Sequence, residues 1–130
     1  MAPRDVHLFV FDGLADWEYG YAVAGISNPQ LQLIPGRYRV RTVALGRQPA
    51  TTAGGIRIQP DLTLGRLGPK TSAMLILPGG DAWDEERNGE VVEVARRYLA
   101  AEVPVAAICG ATAGLARAGL LDSRRHQQRA

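Results

Sequence analysis

At 130 residues, 46% hydrophobic and 22% charged, the chain has the size and composition of one globular domain with a packed core and no room for a second. No apolar run approaches the ~18 residues that a membrane helix needs, and the apolar start at 6–11 is cut short by Asp12 without a small-residue cleavage site, so neither a span nor a signal peptide is expected. The net charge is +2, its arginines scattered except in the terminal RRHQQR, which reads as a solvated tail; with one cysteine and so no internal disulfide, a cytoplasmic protein with neither nucleic-acid nor membrane partners is expected.

VHLFVF, at 6–11, is a short and nearly continuous apolar run, the pattern of a parallel strand covered on both faces, with His7 as a structural residue. Asp12-Gly13 supplies a turn. Asp16 is placed to cap a helix beginning at Trp17, with Trp17, Tyr21 and Ala24 on one face and Gly20 and Gly25 weakening it. SNPQLQLIPGR, 27–37, is a loop punctuated by Pro29 and Pro35. YRVRTVAL, 38–45, alternates as a strand; PATTAGGIRIQPD, 49–61, gives two short strands about Gly54-Gly55; and LTLGRL, 62–67, reads as a single helical turn. AMLIL, 73–77, is a buried strand that stops at PGGDAW. A helix over 90–101 sets Val91, Val94, Ala95, Tyr98 and Leu99 on one face, and a strand over 105–108 leads into a helix over 111–118. Strands alternating with helices predict an α/β fold, a parallel sheet with helices on both faces.

Ligands of such sheets bind beyond the carboxyl ends of the strands. Three features fall there: Glu18 after the first strand, Gly79-Gly80 after AMLIL, and Cys109 after 105–108. A sharp strand-to-helix turn aims its side chain out of the sheet, and the helix N-terminus behind it favours thiolate over thiol. Gly110 leaves a backbone N–H to face an oxyanion, and Gly79 and Gly80 have amides able to complete that pocket. Glu18 is expected to reach the sulfur as proton donor or general base. The plainer readings are a small buried hydrophobe for Cys109, a dipole-complementing carboxylate for Glu18 and an ordinary turn for the glycines. His126 is the only histidine downstream of Cys109 and a candidate catalytic partner if it folds back over the turn, though its polar, terminal neighbours fit a surface histidine equally. Trp17 and Trp83 flank the two turns, as pocket walls or as packing. There is no dinucleotide or phosphate loop and no zinc-type spacing, so neither cofactor nor metal is expected.

FDGLADWE, LPGGDAW and AAICGATAGLARAGLLDSRRH, in this order, resemble the DJ-1/PfpI superfamily over nearly the whole chain. The resemblance implies a class I glutamine amidotransferase-like, flavodoxin-like fold, a doubly wound parallel sheet in three α/β/α layers. It implies Cys109 as elbow nucleophile, Glu18 as the carboxyl held against its sulfur, Gly80 and Gly110 as oxyanion donors, and GGIRIQPD as the hairpin with its following aspartate. The protease-like and glyoxalase-like branches carry a histidine directly after the nucleophile; here that place is Gly110, which argues against a triad built on it. In the bacterial branch that the chain resembles, the histidine matching His126 is followed by Thr-Ser-Asn and by further strands and a helix. Here QQRA ends the chain, roughly a third short of the family's usual length. A C-terminally shortened single domain, by truncation or frame shift, is therefore expected. An uncovered sheet face of a few hundred Å² would cost several kcal/mol at about 25 cal/mol per Å², so marginal stability or self-association is expected, most simply as a homodimer.

The function expected from these residues and this resemblance is that of a cysteine-dependent hydrolase or amidotransferase-like enzyme acting on a small carbonyl, amide or nitrile-like molecule. The alternatives are a redox-sensing or stress-response protein that works through oxidation of Cys109, and an inactive fragment.

Overall fold

The computed structural model describes residues 2–83 and 88–121. Their elements are β1 (Arg4–Phe9), α1 (Asp16–Ser27), β2 (Tyr38–Ala44), β3 (Ala50–Thr51), β4 (Arg57–Ile58), β5 (Leu62–Thr63), β6 (Met74–Leu77), α2 (Gly89–Ala100), β7 (Val105–Ala107) and α3 (Gly110–Arg117), with short 3-10 turns between some of them. Five strands make one parallel sheet in the order β5-β2-β1-β6-β7, and β3 pairs with β4 as an antiparallel hairpin. From β1 the chain crosses to β2 on one side; later it returns past β1 to β6 on the other. Right-handed crossovers running in opposite directions put α1 and α2 on opposite faces, which is the flavodoxin-like arrangement.

The centre of the sheet is where its residues are most apolar. Phe9, Val10, Val43, Leu75 and Leu77 have no solvent exposure. Phe9 and Phe11 stack at 5.2 Å, and Trp83 meets both rings edge-on at 6.2 and 5.9 Å. Trp83 is therefore core, and it also lines a cleft beside Gly114 and Arg117; its indole N–H donates to the Pro78 carbonyl at 2.8 Å. On α2 the expected face holds, with Val91, Val94, Ala95 and Tyr98 buried and Leu99 half-buried. No helix among the described residues is long and apolar enough to cross a membrane.

Several expectations need correction. The first strand begins two residues earlier than expected and ends at Phe9, although the Val10 amide still donates to Val43 at 2.8 Å. On α1 the inward face is Tyr19, Ala22, Val23 and Ile26, whereas Trp17 and Tyr21 are 75% and 95% exposed. Both sets satisfy helical spacing, and the helix is apolar on nearly every side, so periodicity alone could not choose between them. LTLGRL divides: Leu62–Thr63 pairs with β2 as β5, and only Leu64–Arg66 turns. Asp61 fixes that division, because its carboxylate accepts from the Thr42 amide at 2.8 Å and its own amide donates to the Thr42 carbonyl at 3.0 Å. Asp16 is not the N-cap; that position belongs to Ala15, which offers no side-chain hydrogen bond.

His7 lies inside β1, 3% exposed. Ser72 donates its hydroxyl to the Met74 carbonyl at 3.0 Å, so across the 2.8 Å contact it accepts from His7 Nδ1. Burial holds the imidazole below its ordinary 6.5, an effect that Asp5 opposes and Arg41 assists. The folded state thus prefers neutral His7, and the unfolded chain takes up the proton first as pH falls. Stability is full above about pH 6.5 and declines below it, towards the folded-state value. Urea midpoints measured between about pH 7.5 and about pH 5.5 are expected to show this decline, and a His7→Asn variant, which retains a donor for Ser72, to show less of it.

Candidate active site

Three chain segments leave the carboxyl ends of β1, β6 and β7 and meet at one rim of the sheet. Cys109 follows β7 and occupies the N-cap position of α3 with φ 49° and ψ −118°. An L-residue in that region is strained by about 1–3 kcal/mol and stays there only when its surroundings impose it. They do so here: Ile108 donates to Leu77 at 2.9 Å, Ala111 to Ile108 at 3.1 Å, and Thr112 to Cys109 at 2.9 Å. The Thr112 hydroxyl also reaches back to Ala107 at 3.1 Å. Strand and helix are each tied across the junction, so the turn has nowhere to relax. The Cys109 residue is exposed.

Glu18 comes from the first turn of α1 and is half-buried. Its Oε2 accepts the Gly79 amide at 2.7 Å, and the Gly79 carbonyl accepts the Ala15 amide at 3.0 Å, so α1 and the turn after β6 grip each other in both directions. A methyl group at Gly79 would lie 2.7 Å from Glu18 Oε2, 3.0 Å from Cys109 Cβ and 3.1 Å from the Ile108 carbonyl. Glu18 and Cys109 thus both lie against the side-chain face of this glycine. At Gly80 a methyl would strike the Phe11 ring at 2.8 Å and the Gly13 carbonyl at 2.9 Å. The Gly80 carbonyl in turn lies 3.2 Å from where a Gly110 side chain would begin. Beneath them, Trp83 forms the floor of α3: Gly114 abuts its ring, where a methyl would come within 2.7 Å, and Arg117 donates to its carbonyl.

The structure therefore brings Glu18, Gly79, Gly80, Cys109 and Gly110 together. Of the three glycines expected to supply anion-binding amides, Gly79 has its N–H committed to Glu18, which takes it out of that role. His126 lies outside the described residues. Among the described residues no three His, Cys, Asp or Glu side chains are grouped so as to hold a metal ion.

Sequence reading missed the real partner of Asp16. Its carboxylate accepts the Thr52 hydroxyl and the Gly54 amide, the latter at 2.8 Å, and the Thr52 bond above all holds it below the usual carboxylate range. The β3–β4 hairpin is thereby drawn onto the segment that carries Glu18, with Thr51 donating to Asp12 at 2.9 Å and Gly13 to Thr51 at 2.8 Å. The one local hint was a threonine and two glycines at the hairpin tip, small enough to sit on a carboxylate.

A side chain at Gly79 has no room, because two of its three contacts are to backbone or to a Cβ and cannot swing aside. Gly79→Ala is expected to lower stability by about 1–3 kcal/mol in urea unfolding.

The comparisons with known proteins agree with the fold. The family model described as DJ-1/PfpI family matches residues 4–128. The chain is 37% identical, over 97% of its length, to a Bacillus subtilis (strain 168) protein named "Uncharacterized protease YoaZ", of which it covers 60%. It is 38% identical over 55% of its length to the protein of Pyrococcus furiosus named "Deglycase PfpI", of which it covers 43%. Among solved structures, a thiJ/pfpI family protein from Bacillus anthracis superposes with a TM-score of 0.77 at 39% identity, over 97% of this chain and 60% of that one. The chain thus spans about 60% of the length of the first of these relatives. With the family model running almost end to end, the chain belongs to the DJ-1/PfpI family.

Proposed function

We propose that the chain carries a cysteine-nucleophile site, Cys109 with Glu18, acting on a small carbonyl, amide or nitrile-like substrate as a hydrolase or amidotransferase-like enzyme. The observation that carries this reading is a strained, exposed cysteine at a strand-to-helix elbow, packed across one glycine from a carboxyl group. The first amides of α3 and its dipole favour thiolate. On a carbonyl substrate the sulfur adds to carbon and the C=O electron pair moves to oxygen. The Gly80 and Gly110 amides are the donors assigned to that oxygen. Glu18, oriented by Gly79, gives or takes the accompanying proton. On an amide, departure of the amine leaves a thioester that water cleaves. Relatives named protease and deglycase support a bond-cleaving reading. A reactive thiol kept reduced points to the cytoplasm.

The test is the rate of Cys109 alkylation by iodoacetamide against pH. The expected midpoint lies below the ~8.5 of an ordinary thiol. Glu18→Gln is expected to displace it: downward if Glu18 is charged when the thiol ionises, upward if Glu18 holds the proton that bonds the sulfur. An ordinary thiol profile in both proteins overturns the reading.

The same reading includes a homodimer. Val105, Ala106 and Ala107 of the outer strand β7 are only half-buried, and Trp17, Tyr21 and Leu33 stand 75%, 95% and 103% exposed. Sedimentation is expected to show a dimer that dissociates on dilution; a monomer at every concentration overturns this part.

A further inference from the structure

We propose that Asp16 is a positioning residue for the Cys109–Glu18 site: through Thr52 and Gly54 it anchors the uncapped first turn of α1 and so keeps Glu18 against Gly79. The inference rests on the function proposed above and adds to it a residue that touches neither the sulfur nor a substrate.

Few other bonds hold the start of α1. The helix has twelve residues, none of them buried, and its N-cap residue Ala15 contributes no side-chain hydrogen bond. Gly20 and Gly25 loosen it further. Its inward face of Tyr19, Ala22, Val23 and Ile26 is only partly buried, so bonds at the start of the helix add to packing in fixing its position. Glu18 sits in the first turn, and a shift of 1 Å there would break its 2.7 Å bond to Gly79. Besides the bond of Glu18 itself, two attachments act on that turn, from residues 15 and 16. One is the Ala15–Gly79 backbone bond at 3.0 Å. The other is Asp16, whose carboxylate takes the Thr52 hydroxyl on one oxygen and the Gly54 amide on the other.

The anchor point is itself rigid. Thr52 is 4% exposed, and its hydroxyl oxygen accepts the Ile56 amide at 2.9 Å while its proton goes to Asp16. Glycine at 54 eases the approach, since a methyl there would lie 3.2 Å from both Asp16 oxygens, closer than side chains ordinarily come. The hairpin is fastened below by Ala53 donating to Leu14 at 2.8 Å and by Gly13 donating to Thr51 at 2.8 Å. Hydrogen bonds therefore run from the hairpin tip through Asp16 and the helix start to Glu18, and from there to the turn packed against Cys109.

The test compares Asp16→Asn, Thr52→Val and Thr52→Ser in the full chain. Thr52→Val keeps the shape and loses the hydroxyl; Thr52→Ser keeps the hydroxyl. Amide hydrogen exchange is read at Gly79 and at Leu75, whose bond to Pro104 lies in the sheet. In Asp16→Asn and Thr52→Val, exchange at Gly79 is expected to quicken about tenfold or more while Leu75 keeps its protection. The midpoint of the Cys109 alkylation profile is expected to move by about half a pH unit or more, and Thr52→Ser to restore both readouts. The alkylation effect is expected to vanish when Asp16→Asn is combined with Glu18→Gln. Unchanged exchange at Gly79 overturns the inference. So does equal quickening at Gly79 and Leu75, which is general loosening. So does an alkylation profile moved by Glu18→Gln and left unmoved by Asp16→Asn. If Gly79 alone quickens and neither Asp16→Asn nor Glu18→Gln moves the profile, the function proposed above falls and the hold of Asp16 on Glu18 stands.

Discussion

The structure turns on the Gly79 backbone. Its amide goes to the Glu18 carboxylate, its carbonyl takes the Ala15 amide, and its missing side chain leaves the gap into which Glu18 and Cys109 both press. Three strand ends can approach this closely only where one of them presents bare backbone. The parallel sheet supplies the rough placement, since β1, β6 and β7 are neighbours and release their loops at the same edge. Glycine supplies the last ångström. Without it the acid and the thiol would be held apart by the width of a methyl group.

Around that point the molecule is built to tolerate strain. The left-handed φ of Cys109 is unfavourable, and the hydrogen bonds of Ile108, Ala111 and Thr112 to either side of it oppose its release. Below, the cluster of Phe9, Phe11 and Trp83 makes a stiff aromatic floor, and Gly114 lets α3 settle directly onto it. The opposite end of the sheet carries its own buried polar joint, His7 with Ser72, which fastens β1 to the approach of β6 and involves no group of the thiol rim.

Much of this was legible from residue order alone. Continuous apolar runs between helical stretches fit strands of a parallel sheet covered on both faces, so AMLIL and VHLFVF read as strands, and their shared edge followed if they were neighbours. The elbow was legible for the same reason: an apolar run ending at Cys-Gly before an alanine-rich helix leaves the cysteine at the turn. What stayed hidden were choices between partners. Asp16 reads locally as a cap and is drawn instead to a hairpin 36 positions away. The Gly79 amide looks available in the sequence and is taken by a carboxylate 61 positions distant. On α1, Trp17 and Tyr21 outweigh Tyr19 and Val23 in bulk, yet the smaller set faces the sheet, a choice that helical spacing alone leaves open.

The separation between Glu18 and Gly79 has a kinetic consequence. Parallel pairing of β1 with β6 must close a long loop before any contact rewards it, and such topologies fold slowly compared with hairpins or helices. The β7–α3 elbow holds Cys109 and Gly110, but Glu18 and Gly79 join them only when distant strands pair. A newly made chain stalled before that closure has Cys109 without Glu18 and Gly79 beside it, and the three come together only with the sheet itself.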